Sequence, residues 1–247
     1  GWCLGESRQY DQNRALYPDD VEKWIRATQP KKWEKLERLN GANTRKILLD
    51  RLEASLNKKG TLQVLKDGFS VAGCGHLDMS EAAPEDKRNA DVLKRYEANC
   101  LRVVPQLKYT PERELSIDLV FFLNGIPVST VELKTDFTQS AGSAREQYKT
   151  DRLPAEKGHK GKAGNPPRQD GEYPIAYFWE EILEPHSFLR IVHSFIYVEK
   201  KQVVDLKGHW TTKETLIFPR YHQFDAVNKM IADAKEKGPG QSYLCEH

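Results

Sequence analysis

The chain has 247 residues, 38% hydrophobic and 30% charged, with 38 Lys+Arg against 36 Asp+Glu for a formal charge of +2. That length suits one sizeable domain, or one domain and the beginning of another. Apolar runs such as Ile117 to Leu123 are far shorter than the ~20 residues a bilayer crossing needs, 10% aromatics argue against disorder, and balanced charge leaves only a local patch to attract a polyanion.

Residues 17 to 60 read as helix in pieces. Pro18-Asp19-Asp20-Val21 looks like a helix start with acids in its first turn, Trp24 and Ile25 mark its apolar face, and Pro30 should interrupt it. Trp33, Leu36 and Leu39 then recur at helical spacing. Asn43-Thr44 is placed to cap a further helix with Ile47, Leu48, Leu52 and Leu56 on its apolar face, closed by Gly60. Residues 61 to 100 are mixed, and the charged stretch from Glu81 to Lys94 is expected to carry an exposed helix.

From Leu101 the period changes to that of strands. Leu101 to Val104 and Gln106 to Tyr109 are followed by two apolar, β-branched runs, Ile117 to Leu123 and Ile126 to Leu133, which flank Asn124-Gly125. Asn-Gly between such runs signals a hairpin. Residues 141 to 152 then read as helix. The stretch from 157 to 168 lacks acids and is rich in Gly, Pro and Lys, which suits a loop or linker. Tyr177 to Val198 is apolar again, and Arg220 to Lys237 reads as a last helix. No internal repeat is visible. The four cysteines, Cys3, Cys74, Cys100 and Cys245, are spaced as neither a disulfide framework nor a zinc site and fit a reducing cytoplasm. Cys74-Gly75-His76 is too small a cluster for a metal. No basic-then-apolar leader opens the chain, and with Gly1 at one end and Cys245-Glu246-His247 at the other it reads as a fragment of something longer.

The hairpin carries the chemistry. Asp118 lies within an apolar strand, and Glu132 and Lys134, two residues apart, project from one face at the end of the next. Carboxylates on adjacent strands suit Mg²⁺, which takes a few carboxylates and keeps several waters, and a lysine beside it can orient an attacking water. A solvated ion pair between Glu132 and Lys134 is the plain alternative. Register decides whether the two acids can meet. A two-residue loop would set Asp118 opposite Val131, on the other side of the sheet from Glu132. A three-residue loop, Leu123-Asn124-Gly125, would set it opposite Thr130 with Glu132 as its diagonal neighbour, and this odd register is the one expected. A two-residue loop without a compensating bulge would sink the metal site.

Ser116 to Val128, Thr130 to Lys134 and Glu146 to Arg152, with Thr28 to Trp33 upstream and Arg220 to Gln223 with Asp225 to Val227 downstream, closely resemble the N-terminal nuclease domain of the type I restriction enzyme R subunit. The resemblance implies an α/β fold of the PD-(D/E)xK kind, a mixed sheet flanked by helices. It implies domains at 1–155 (nuclease), 156–175 (basic Gly/Pro-rich linker) and 176–247 (connecting segment and the beginning of a helicase-like motor). Asp118 and Glu132 would ligate Mg²⁺, for which Mn²⁺ could substitute, and Lys134 would support the water. The family's leading proline is Ile117 here. Its Gln-x-x-x-Tyr pattern is not kept, since Ala144 stands four before Tyr148, so Gln147 and Tyr148 are candidates for support only. A first-helix acid would be Asp50 or Glu53. The implied activity is sequence-nonspecific cleavage of double-stranded DNA in a complex with methyltransferase and specificity subunits. A nuclease-fold scaffold without catalysis is the alternative.

Arg220 and Gln223 resemble the adenine-recognising segment ahead of a motor's phosphate loop, where a glutamine amide pairs with the base and an arginine stacks on it. That loop is absent, so ATP is expected to serve the full-length subunit and to bind this chain poorly. Lys157, Lys160, Lys162 and Arg168 are candidate DNA-phosphate contacts, with a solvated loop as the alternative.

Overall fold

A computed structural model describes residues 1–84, 88–109, 115–131, 133, 176–204, 208–238, 240 and 242–243. The chain divides into two units, Gly1–Leu153 and Pro154–His247.

In the first unit the helices follow the predicted punctuation. Helix α1 (Pro18–Thr28) begins with proline at its first position and Asp19 and Asp20 in its first turn, where a missing N–H costs nothing and negative charge meets the positive end of the helix. Helix α2 (Pro30–Asn40) begins the same way, so Pro30 ends one helix and opens the next. Gln29 sits in the corner, 8% exposed, with its amide bonded to both the carbonyl and the N–H of Asp78 at 2.9 and 3.0 Å. Helix α3 (Thr44–Lys59) stops at Gly60, whose φ of +83° a side chain would resist. Its core face is Leu48, Leu49 and Leu52, with Ile47 and Leu56 only half-buried, and Leu39 of α2 is exposed. Asn43 makes no side-chain cap; the Thr44 hydroxyl instead donates to the Gly41 carbonyl at 2.7 Å. Helix α4 (Thr61–Asp67) follows. The helix expected within the charged stretch from Glu81 starts only at Ala90: α5 (Ala90–Glu97), with the Asn89 side chain accepting from the Asp91 and Val92 N–H groups. Its onset waits for that cap.

The main sheet has strand order β1-β4-β5-β6, built from Cys3–Leu4, Leu101–Lys108, Ser116–Leu123 and Ile126–Val131. Strands β1 and β4 are parallel, and the other pairs are antiparallel. Strands β2 (Phe69–Val71) and β3 (Gly75–Leu77) form a separate small hairpin. One face of the sheet packs Val104, Leu107, Val120 and Phe122 against Tyr17, with Tyr10 at the margin. Behind the other face, Trp2 meets Phe121 edge-on at 4.9 Å. A buried ion pair ties helix to sheet: Arg102 on β4 donates to both carboxylate oxygens of Asp20 on α1, at 2.5 and 2.8 Å, and reaches the Leu4 carbonyl on β1 at 3.0 Å.

The β5–β6 loop differs from the expected three residues. Leu123 pairs with Ile126, leaving Asn124 (φ +50°) and Gly125 (φ +84°) as a two-residue turn. Asparagine and glycine both accept positive φ, so this turn matches the twist of the strands without strain. The odd residue enters further along β6. Phe122 pairs with Pro127, but Phe121 pairs with Ser129, so Val128 bulges. Pro127 has no N–H for the ladder, which favours a break there. Thr130 faces Val120 rather than Asp118.

In the second unit, residues 178–182 and 191–195 are π-helical and flank α6 (Pro185–Arg190), whose N-terminus is capped by Glu184 accepting from the Ser187 N–H at 2.7 Å. Strands β7 (Tyr197–Val204) and β8 (Trp210–Ile217) form an antiparallel ribbon with both faces largely exposed. Helix α7 (Tyr221–Lys237) closes the described part, and Phe224 packs edge-on against Phe195 at 4.9 Å. Among the described residues no helix is long and apolar enough to cross a membrane.

Candidate functional site

Asp118 lies near the open end of β5, two and four residues from Val120 and Phe122, so strand alternation sets it at the end of their row. It is half-buried. Its Oδ2 accepts from the backbone N–H of Leu133 at 2.6 Å, and its Oδ1 accepts from the side-chain amide of Gln106 at 3.0 Å. Neither donor is charged, so both orient the carboxylate without cancelling its charge. The short contact to Leu133 has the length of a charge-assisted bond. Leu133 is the residue between Glu132 and Lys134. Those two lie outside the described residues, as do Gln147, Tyr148, Lys157, Lys160, Lys162 and Arg168.

Asp50 and Glu53 stand on α3 and face a partner that the sequence did not suggest. The Arg14 guanidinium lies 2.7 Å from Asp50 Oδ1 and 3.6 Å from Glu53 Oε2, and 2.9 Å from Asp11 Oδ2. The hydrogen bonds that Arg14 donates to Asp50 and then to Asp11 raise its pKa. Burial pushes the Asp11 carboxyl up, but hydrogen bonds and charge from Arg14, with the Asn13 N–H, outweigh it and hold the group below its ordinary range. Among the described residues no three His, Cys, Asp or Glu side chains converge to hold a metal, so Asp50 and Glu53 form no such group with Asp118.

At the start of α7, the Gln223 side-chain oxygen accepts from the Arg220 N–H at 2.9 Å. Pairing with adenine requires that same oxygen as an acceptor, so the helix cap competes with it. Beside it the Tyr221 hydroxyl donates to Glu181 at 3.1 Å, and burial followed by that bond pushes its pKa up to about 12.

Sequence reasoning does not single out Gln106, beside Asp118, or Arg14, beside Asp50 and Glu53. In sequence Gln106 is one residue of a strand, and its amide becomes a partner for the carboxylate only once register sets it opposite Asp118. Arg14 gave no signal, because its contacts span 36 residues to Asp50.

A mixed α/β domain with a carboxylate near the beginning of an inner strand of its sheet is the class of protein this unit represents. The model of the family described as type I restriction enzyme R protein N terminus matches residues 14–163, and the chain belongs to that family. No curated protein and no solved structure matches it significantly.

Proposed function

We propose that this chain carries the Mg²⁺-dependent endonuclease domain of a type I restriction R subunit, a PD-(D/E)xK nuclease that hydrolyses phosphodiesters of double-stranded DNA without reading their sequence. The observation that supports this reading most is the 2.6 Å bond from the Leu133 N–H to Asp118, because it brings the backbone between Glu132 and Lys134 to the strand carboxylate. The donor chemistry fits the metal: a half-buried carboxylate, oriented by two neutral donors, is a hard anionic oxygen ligand of the kind Mg²⁺ takes.

In this reading Asp118 and Glu132 hold the ion, and Mn²⁺ can replace it. When bound, the metal supplies Lewis acidity that acidifies a water and offsets charge on the phosphate. Lys134 positions that water by hydrogen bonding. Gln147 and Tyr148 support the substrate, and Lys157, Lys160, Lys162 and Arg168 bind DNA phosphates, a contact that weakens with salt and carries no sequence information. Residues 176–247 begin the motor, where Arg220 and Gln223 serve adenine in the full-length subunit once Gln223 gives up its cap. Methyltransferase and specificity subunits complete the assembly and supply the recognition sequence.

The test is nicking of supercoiled plasmid with Mg²⁺ or Mn²⁺ by this chain and by the full complex, beside Asp118→Ala and Glu132→Ala. Metal-dependent nicking lost in both variants is the expected result. Nicking retained in either variant, or absent from the full complex, would overturn the proposal.

A further inference from the structure

The middle of β4 is irregular at one point. Pro105 pairs with Leu119 and Leu107 pairs with Ile117, but the rung between them is missing. There Gln106 adopts φ +45°, a left-handed conformation in which a side chain other than Asn, Asp or Gly is uncommon. Position 106 is the one opposite Asp118. The residue has left the ladder, and its amide has taken up a role between two side chains. Its Nε2 donates to Asp118 Oδ1 at 3.0 Å, while its Oε1 accepts from the Ser116 hydroxyl at 2.9 Å.

The second bond fixes what the first can do. A glutamine amide can present either an oxygen or an NH₂ group to a neighbour, and an oxygen toward Asp118 would repel it. The Ser116 hydroxyl, donating to Oε1, holds the NH₂ end toward the carboxylate. Pro105 helps the departure from the ladder, because it brings no N–H of its own and lies beyond the two residues of β4 that β1 pairs with. Backbone outliers of this sort persist where surrounding structure over-determines them, and they gather at sites that must hold a group in one orientation.

We infer that Gln106, oriented by Ser116, is a positioning residue for Asp118: it fixes the rotation of the carboxylate that would hold a divalent cation. The inference rests on the metal reading of Asp118 above and adds residues to that site. Side chains that orient a metal ligand typically contribute 10- to 100-fold to metal affinity. Gln106 is exposed, which places its effect at the lower end, about tenfold.

The experiment is a Mn²⁺ titration of the whole chain, read by electron paramagnetic resonance in the absence of DNA. It compares the parent, Asp118→Asn, Gln106→Asn, Gln106→Gly and Ser116→Ala. Both replacements at position 106 accept a left-handed φ, so the fold is retained, yet neither carries an amide long enough to reach Asp118. Expected are loss of Mn²⁺ binding in Asp118→Asn, about tenfold weaker binding in both position-106 variants, and a smaller loss in Ser116→Ala. The melting temperature of Gln106→Gly should not fall, because relief of the backbone offsets the lost bonds, so metal affinity and stability separate. Parent-like affinity in both position-106 variants would overturn the role of Gln106 and leave the metal site standing. No saturable binding by the parent would overturn the metal reading, and the positioning role with it.

Discussion

Asn124→Ala should strongly destabilise the first unit. The side chain is wholly buried. Its Oδ1 accepts from the Cys100 N–H at 2.6 Å, and its two amide hydrogens go to the Met79 carbonyl and Asn99 Oδ1, each at 2.9 Å. Asn99 Oδ1 keeps another donor, the Glu81 N–H at 3.2 Å, so it is not orphaned by the change. The Cys100 N–H and the Met79 carbonyl lose these bonds. Leaving a buried N–H unsatisfied costs about 1–3 kcal/mol, the weaker carbonyl loss adds about 1 kcal/mol, and alanine at φ +50° adds roughly 1 kcal/mol more. The sum, about 3–5 kcal/mol, is a large part of the stability of a domain this size. Urea unfolding followed by tryptophan fluorescence, with amide exchange at Cys100, measures it. A loss of 3 kcal/mol corresponds to about 100-fold faster exchange when that amide opens with the whole unit. Asn124→Gly removes the same bonds but not the backbone compatibility, so it should be milder by about 1 kcal/mol. A destabilisation below about 1 kcal/mol in Asn124→Ala, or unchanged exchange at Cys100, would refute the view that this amide anchors the turn.

Two further outcomes test the scaffold. Arg102→Lys should destabilise by roughly 2–3 kcal/mol, although charge is kept, because a lysine cannot make the two-pronged contact to buried Asp20 and reach Leu4 as well; a urea midpoint matching the parent would count against this. Asp11 has its pKa lowered on folding, so it stabilises the fold above the ordinary carboxylate value of 3.8 and loses that contribution as pH falls through its folded value. Asp11→Asn should therefore lower stability at neutral pH and flatten the acid limb of a stability–pH curve, and a parallel acid limb would argue against the Arg14 contact in solution.

How much of this was legible in the sequence depended on the range of the interaction. The starts of α1 and α2 follow from Pro18 and Pro30 acting on their own turns, and the Asn124-Gly125 hairpin from two adjacent residues that accept positive φ. These are local effects, and local patterns carry them. The charged stretch from Glu81 to Lys94 pointed to an exposed helix without bounding it, and a single cap, Asn89, sets where α5 begins. The core face of α3 shifted toward Leu49 because packing against the rest of the unit, not helical period alone, selects among neighbouring leucines. Arg14 could not be found at all, since nothing local connects it to Asp50.

The hairpin joins these scales. For Asp118 to share a face with the next strand's acid, one odd residue is needed between β5 and β6, and the loop is where the sequence pattern places it. The protein keeps the unstrained two-residue turn and inserts the residue at Val128, beside the proline that cannot bond across. Both solutions satisfy the same parity, which is why the need for a shift was readable and its location was not. Parity alone would still leave the Asp118 carboxylate free to rotate. Rotation is limited from both neighbouring segments, by the Leu133 N–H after β6 and by the Gln106 amide on β4. The turn held by Asn124 sets the register, the bulge sets the face, and Gln106 and Leu133 set the orientation; loosening any one should move the carboxylate without removing it.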